Sequence, residues 1–105
     1  MAFNVAKTVT PQEVAAKLKR GEQLNLLDVR EPEEWAVGHV AGAKHIPLGQ
    51  LSQRYNELKQ GEELIVLCRS GNRSGLACEL LAERGFDVIN MTGGLNAWID
   101  ELVTD

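Results

Sequence analysis

A cysteine stands where an apolar run ends and a helical pattern begins. The stretch Leu64–Gly85 reads LIVLCRSGNRSGLACELLAERG. It sets Cys68 directly after Leu67 and just ahead of two arginines, Arg69 and Arg73, and two glycines, Gly71 and Gly75. A thiol of ordinary pKa, about 8.5, is mostly protonated at neutral pH and needs help to act as a nucleophile. Three kinds of help are encoded here. A helix start offers unpaired amides and the positive end of a dipole, both of which favour an anion. The glycines let successive amides turn inward as a nest. The arginines add permanent positive charge. Cys68 is therefore the candidate nucleophile, and Arg69, Ser70, Gly71, Asn72, Arg73 and Ser74 are the candidate anion-binding loop. Cys78 lies within the helical pattern with neither glycine nor arginine beside it, and reads as a packing residue.

A second group surrounds Asp28. This carboxylate ends an apolar run, so burial and a need for partners are expected. Arg30 and Glu34 are four residues apart across a predicted helical turn, a spacing at which they could pair. We read Asp28, Arg30 and Glu34 as supporting residues, because buried charges generally need pairing for stability alone. His39 reads as a hydrogen-bonded structural histidine. Two histidines and two cysteines without close spacing do not form a zinc pattern, so no metal site is expected. Trp35 and Trp98 read as packing residues.

The elements that must position these groups alternate. Thr10-Pro11-Gln12-Glu13 opens a helix with a cap, a proline at the first position and a capping box, and Gly21 ends it. Leu24–Val29 reads as a strand, and Glu31–Gly38 as one or two helical turns. Ala43–Leu48 is a short extended piece, and Leu48–Gln60 is predicted helical. Glu63–Leu67 is nearly all apolar, as expected of a strand covered on both faces. Ser74–Arg84 is predicted as a helix with Leu76, Ala77, Leu80 and Leu81 on one face. Phe86–Asn90 is the next strand, and Gly93–Leu102 the last helix. Such alternation implies a parallel sheet wrapped by helices, with its ligand crevice beyond the carboxyl ends of the strands. Cys68, Asp28 and Arg30 all fall at such ends.

Composition sets the outer bounds. The 105 residues suit one domain, taken here as 1–105, with 44% hydrophobic and 25% charged residues. A net charge of −4 argues against general nucleic-acid binding. Two cysteines offer no disulfide scaffold, and no stretch approaches the ~20 apolar residues that span a membrane. The start, Met1–Val5, lacks the pattern of a signal peptide, so a reducing cytoplasmic setting is expected.

Three stretches, LLDVREPEEWAVGHVAGAKHIPL, VLCRSGNRS and MTGGLNAW, together resemble the rhodanese-like single-domain sulfurtransferases, from about Thr8 to Trp98. The resemblance implies a small five-stranded parallel sheet flanked by helices on both faces, and a loop that cradles sulfur on Cys68. It implies no metal and no organic cofactor. The expected reaction moves sulfane sulfur from thiosulfate or a persulfide donor to cyanide, a small thiol or a protein thiol, through a Cys68 persulfide. A monomer is expected. Phosphatases and arsenate reductases of the same fold resemble it with longer loops. Four residues, Arg69–Asn72, separate Cys68 from Arg73 here. A shorter ring of amides leaves a tighter pocket, which suits one added sulfur atom better than a tetrahedral phosphate. A partner-binding regulatory module is the third reading. Such modules can lose the cysteine, and this chain keeps it.

Overall fold

The computed structural model describes residues 7–104; the Met1–Val5 start lies outside them. The elements in chain order are β1 (Thr8–Val9), α1 (Pro11–Lys19), β2 (Asn25–Asp28), α2 (Pro32–Val37), β3 (Lys44–His45), α3 (Leu51–Arg54), β4 (Glu63–Leu67), α4 (Asn72–Glu83) and β5 (Asp87–Met91). Short 3-10 turns flank α3 at Leu48–Gln50 and Tyr55–Glu57, and another spans Gly94–Ala97. The five strands form one parallel sheet in the order β1-β5-β4-β2-β3. No helix among the described residues is long and apolar enough to cross a membrane.

The period of two along each strand sorts side chains between two cores. Leu64, Val66, Leu27, Val29 and Val88 join Ala77, Cys78 and Leu81 of α4 and Leu51 of α3 on one face. Ile65, Leu67, Leu26 and Met91 join Val14 of α1 on the other. The sheet is thus covered on both sides, which explains the unbroken apolar run of β4. Cys68 is in phase with Leu64 and Val66 and belongs to the α4-side core. The alternation itself aims the sulfur at the start of α4.

α1 begins as its sequence demands. Thr10 Oγ1 accepts from Glu13 N at 3.1 Å, and Glu13 Oε1 accepts from Thr10 N at 2.9 Å. The C-terminal half departs more from expectation. α4 starts at Asn72, two residues early, because Gly71 takes a left-handed φ of 103° and turns the chain directly into the helix. Its buried face is Ser74, Ala77, Cys78 and Leu81, whereas Leu76 is exposed. The expected helix over Leu48–Gln60 is one short turn between two 3-10 turns. Tertiary packing shapes it: Leu51 and Leu58 are buried, and the Tyr55 ring meets Phe86 edge-on at 6.5 Å while Arg84 lies 5.1 Å over it. β1 pairs with β5 and carries no sequence signal, since two residues are too few for periodicity.

The expected last helix, Gly93–Leu102, is only the 3-10 turn Gly94–Ala97. Its amides are engaged elsewhere. Leu95 N donates to the Cys68 carbonyl at 2.8 Å, and Asn96 N donates to the Arg69 carbonyl at 2.9 Å. Further on, Val103 and His39 exchange backbone hydrogen bonds of 2.8 and 2.9 Å, which holds that segment extended.

Asp28 and Arg30 anchor the β2 end of the sheet. Asp28 is fully buried and Arg30 is 7% exposed. Arg30 Nη2 donates to Asp28 Oδ2 at 2.8 Å and to the Gly38 carbonyl at 2.8 Å, while Nη1 reaches the Glu34 carbonyl. Removing one partner of such a pair strands a buried charge. Asp28→Ala is expected to cost about 3–5 kcal/mol of stability, read as a lowered denaturant midpoint. A loss below about 1 kcal/mol would show that the pair does not anchor this end.

Candidate active site

The site is built where β4 stops. Cys68 follows the last residue of β4, and its side chain, fully buried, sits over the first turn of α4. Gly71 N donates to the sulfur at 2.9 Å. The Ser74 hydroxyl, also buried, lies 3.3 Å from the sulfur. Burial pushes the Cys68 thiol up, since it disfavours the charged form. The Ser74 hydroxyl and the amides of Ser74, Gly71 and Ser70 oppose it, and together they bring the pKa below the ordinary thiol value. The sulfur can therefore carry negative charge in a place that would otherwise forbid it.

Cys78 is the counter-example on the same helix. It is fully buried too, and burial, with Cys68 and Glu79 adding to it, pushes its thiol up to about 12. Without amides aimed at it, this thiol stays protonated and inert.

The loop is held from two sides. From β5, the 3-10 turn docks on the Cys68 and Arg69 carbonyls as described. A Cβ added at Gly94 would stand 2.5 Å from the Cys68 oxygen, so this close approach needs glycine. From α2, Glu34 takes both ends of the Arg73 guanidinium, at 2.6 and 2.8 Å. The expected Arg30–Glu34 side-chain pair is absent. Arg30 is drawn inward to Asp28 instead, leaving the Glu34 carboxylate for Arg73. Arg73 thus braces α4 against α2, although its charge still interacts with Cys68.

Asn72 is exposed at the start of α4, and Ser70 is exposed in the loop. Arg69 is also exposed, on the wall of a cavity of about 310 Å³ shared with Arg30, Glu34, Val37, Leu95, Asn96 and Leu102. The histidines serve the brace. The His39 ring stacks on Trp35 at 3.6 Å, and its Nδ1 donates to the Trp35 carbonyl at 3.0 Å. His45 stacks on the same indole at 4.6 Å and donates from Nε2 to the Arg30 carbonyl at 2.8 Å. Among the described residues no cluster of His, Cys, Asp or Glu converges to hold a metal.

Sequence reading did not single out Asn90. Its Oδ1 accepts from the Ser74 hydroxyl at 2.5 Å, and its Nδ2 donates to the Gly71 carbonyl at 3.3 Å. A signal for it was present. Asn90 shares the strand phase of Phe86 and Val88, which are both in the α4-side core, so it is a polar residue at a core-facing position.

The Arg73 guanidinium holds the Glu34 carboxyl at about 2, well below its ordinary value of about 4.3. A carboxyl whose pKa is lowered on folding stabilises the fold above its unfolded pKa. That contribution is lost as pH falls from about 4.3 towards 2. Thermal midpoints measured across this window are expected to fall less steeply in Glu34→Gln than in the wild type. Equal slopes would show that the pair contributes nothing.

Comparison with known proteins places this geometry. Residues 10–101 match the Rhodanese-like domain family. The putative sulfurtransferase YtwF of Bacillus subtilis is 38% identical over 95 residues, covering 90% of this chain and 92% of that protein. The putative sulfur carrier protein YrkF of the same organism is 43% identical over 83 residues, 78% of this chain and 45% of its own length. This chain therefore spans less than half of YrkF. In structure, a rhodanese-like domain protein from Staphylococcus aureus superposes with a TM-score of 0.89 at 34% identity, over 94% of this chain and 98% of that one. The five-stranded parallel fold is thus shared with a solved relative, and the chain belongs to the rhodanese-like family.

Proposed function

We propose that the protein is a sulfurtransferase that carries sulfane sulfur on Cys68. The observation that carries this reading is a fully buried sulfur at the start of α4 that accepts from Gly71 N at 2.9 Å and lies 3.3 Å from the Ser74 hydroxyl, an environment that lowers its pKa against burial. Relatives named for sulfur transfer and sulfur carriage support it.

The Cys68 thiolate attacks the outer sulfur of thiosulfate or of a persulfide. A new S–S bond forms to Cys68, the donor's own S–S bond breaks, and sulfite or a thiolate leaves with the electron pair. The terminal sulfur remains on Cys68, facing the amides of residues 69–74. A thiophilic acceptor, such as cyanide, a small thiol or a protein thiol, then attacks that sulfur, and the Cys68 thiolate returns. The sulfur is fully buried beneath the loop, whose exposed rim is Arg69 and Ser70. Arg69, exposed at the rim, draws in an anionic donor. Arg73 steadies the loop while spoken for by Glu34. The four-residue spacing between Cys68 and Arg73 keeps the cradle too small to favour a phosphate ester.

Two successive half-reactions require ping-pong kinetics. Initial rates with thiosulfate and cyanide as the varied pair are expected to give parallel double-reciprocal lines. Cys68→Ala is expected to abolish turnover while keeping the wild-type thermal midpoint. Residual turnover in that variant, or intersecting lines in the wild type, would overturn the scheme.

A further inference from the structure

We propose that Asn90 is a positioning residue that sets the protonation of the Cys68 sulfur through the single hydroxyl proton of Ser74. The argument starts from which atoms can donate. The Gly71 carbonyl can only accept, so the Asn90 amide must turn its Nδ2 towards it, 3.3 Å away. That choice fixes Oδ1 on the other side, facing the Ser74 oxygen at 2.5 Å. Oδ1 can only accept, so the Ser74 hydroxyl donates its one proton there. The hydroxyl lone pairs remain for the Cys68 S–H, 3.3 Å away. Thiol, hydroxyl and amide oxygen thus form a directed chain that suits the protonated sulfur.

Ionisation reverses the middle link. The S–H proton leaves to solvent, and the thiolate now needs a donor. Ser74 O–H rotates from Asn90 Oδ1 to the sulfur, and Oδ1 loses its partner. No covalent bond to a heavy atom forms or breaks. Asn90 and the thiolate therefore compete for one proton, and Asn90 holds the thiol form against the pull of the amides. It also holds the Gly71 carbonyl, whose own amide donates to the sulfur.

The charged neighbours of the sulfur do not blur a titration near neutrality. Arg73 of α4 is paired with Glu34 of α2, whose carboxyl sits at about 2, and the Cys78 thiol sits at about 12. On β4, Val66 faces Asn90 in register, and on β1 Thr8 does so, so the flanking strands present no titrating side chain there. His39 and His45 belong to the Trp35 ring stack, and Arg69 is exposed at the rim.

The test titrates Cys68 by its ultraviolet thiolate absorbance in the reduced full chain, with Cys78→Ala as the common background. It involves no turnover, so it stands or falls apart from the sulfur-transfer reading. Asn90→Ala is expected to free the hydroxyl for the thiolate and move the midpoint down by about half a pH unit or more. Asn90→Asp holds the hydroxyl proton more tightly and adds negative charge, and should move it up. In a Ser74→Ala background, Asn90→Ala should change nothing. A merely structural role would loosen the loop in both Asn90 variants and move both midpoints the same way. The proposal is overturned by an Asn90→Ala midpoint that rises or stays put, by a fall with Asn90→Asp, or by a shift that persists without Ser74.

Discussion

Burying a sulfur against backbone amides at the start of a helix is the constraint on which the rest of this structure depends. Burial alone would leave Cys68 where Cys78 stands, protonated and inert. Rotating the chain out of β4 through a left-handed glycine brings Gly71 N to 2.9 Å from the sulfur and starts α4 beneath it. Neutral dipoles fixed by the fold then favour the thiolate more than any paired cation does. Because the donors are backbone amides, the loop must hold its shape, and much of the chain is arranged to make it do so.

Two braces serve that purpose. One is polar and runs from Asp28 through Arg30 to the Gly38 carbonyl, with His45 holding the Arg30 carbonyl and Glu34 reaching across to Arg73. The other is backbone on backbone. The Gly94 turn presses on the Cys68–Arg69 peptide so closely that a methyl group would not fit, and Leu95 and Asn96 cap its two carbonyls. Among the described residues no buried side-chain nitrogen or oxygen lacks a partner, as a site with this many buried polar groups requires.

Much of this was legible in the residues. The apolar run at Glu63–Leu67 announced a strand covered on both faces, and the strand matches it residue for residue. The capping box at Thr10 formed as written. Cysteine and glycine at a helix start pointed to amides around the sulfur, and Gly71 N does donate to it, whereas Arg73 is taken by Glu34 and Arg69 is exposed. What stayed hidden depends on distant partners. Glu34 was read towards Arg30 from a local spacing, but the deeper attraction of Asp28 takes Arg30 inward. Gly93–Leu102 looked helical by pattern, yet its amides belong to the Cys68 loop and its end to His39. Asn90 lies 16 positions after Ser74, and only the parallel pairing of β4 with β5 brings the two together.

The central claim is that this cradle exists to hold a covalent sulfur. Intact mass spectrometry of the reduced protein after incubation with thiosulfate tests it most directly, with Cys68→Ser alongside. The account predicts a gain of about 32 Da, one sulfur atom, on the wild type and none on the variant. No gain on the wild type with thiosulfate or with a small persulfide donor, or an equal gain on both proteins, would contradict it.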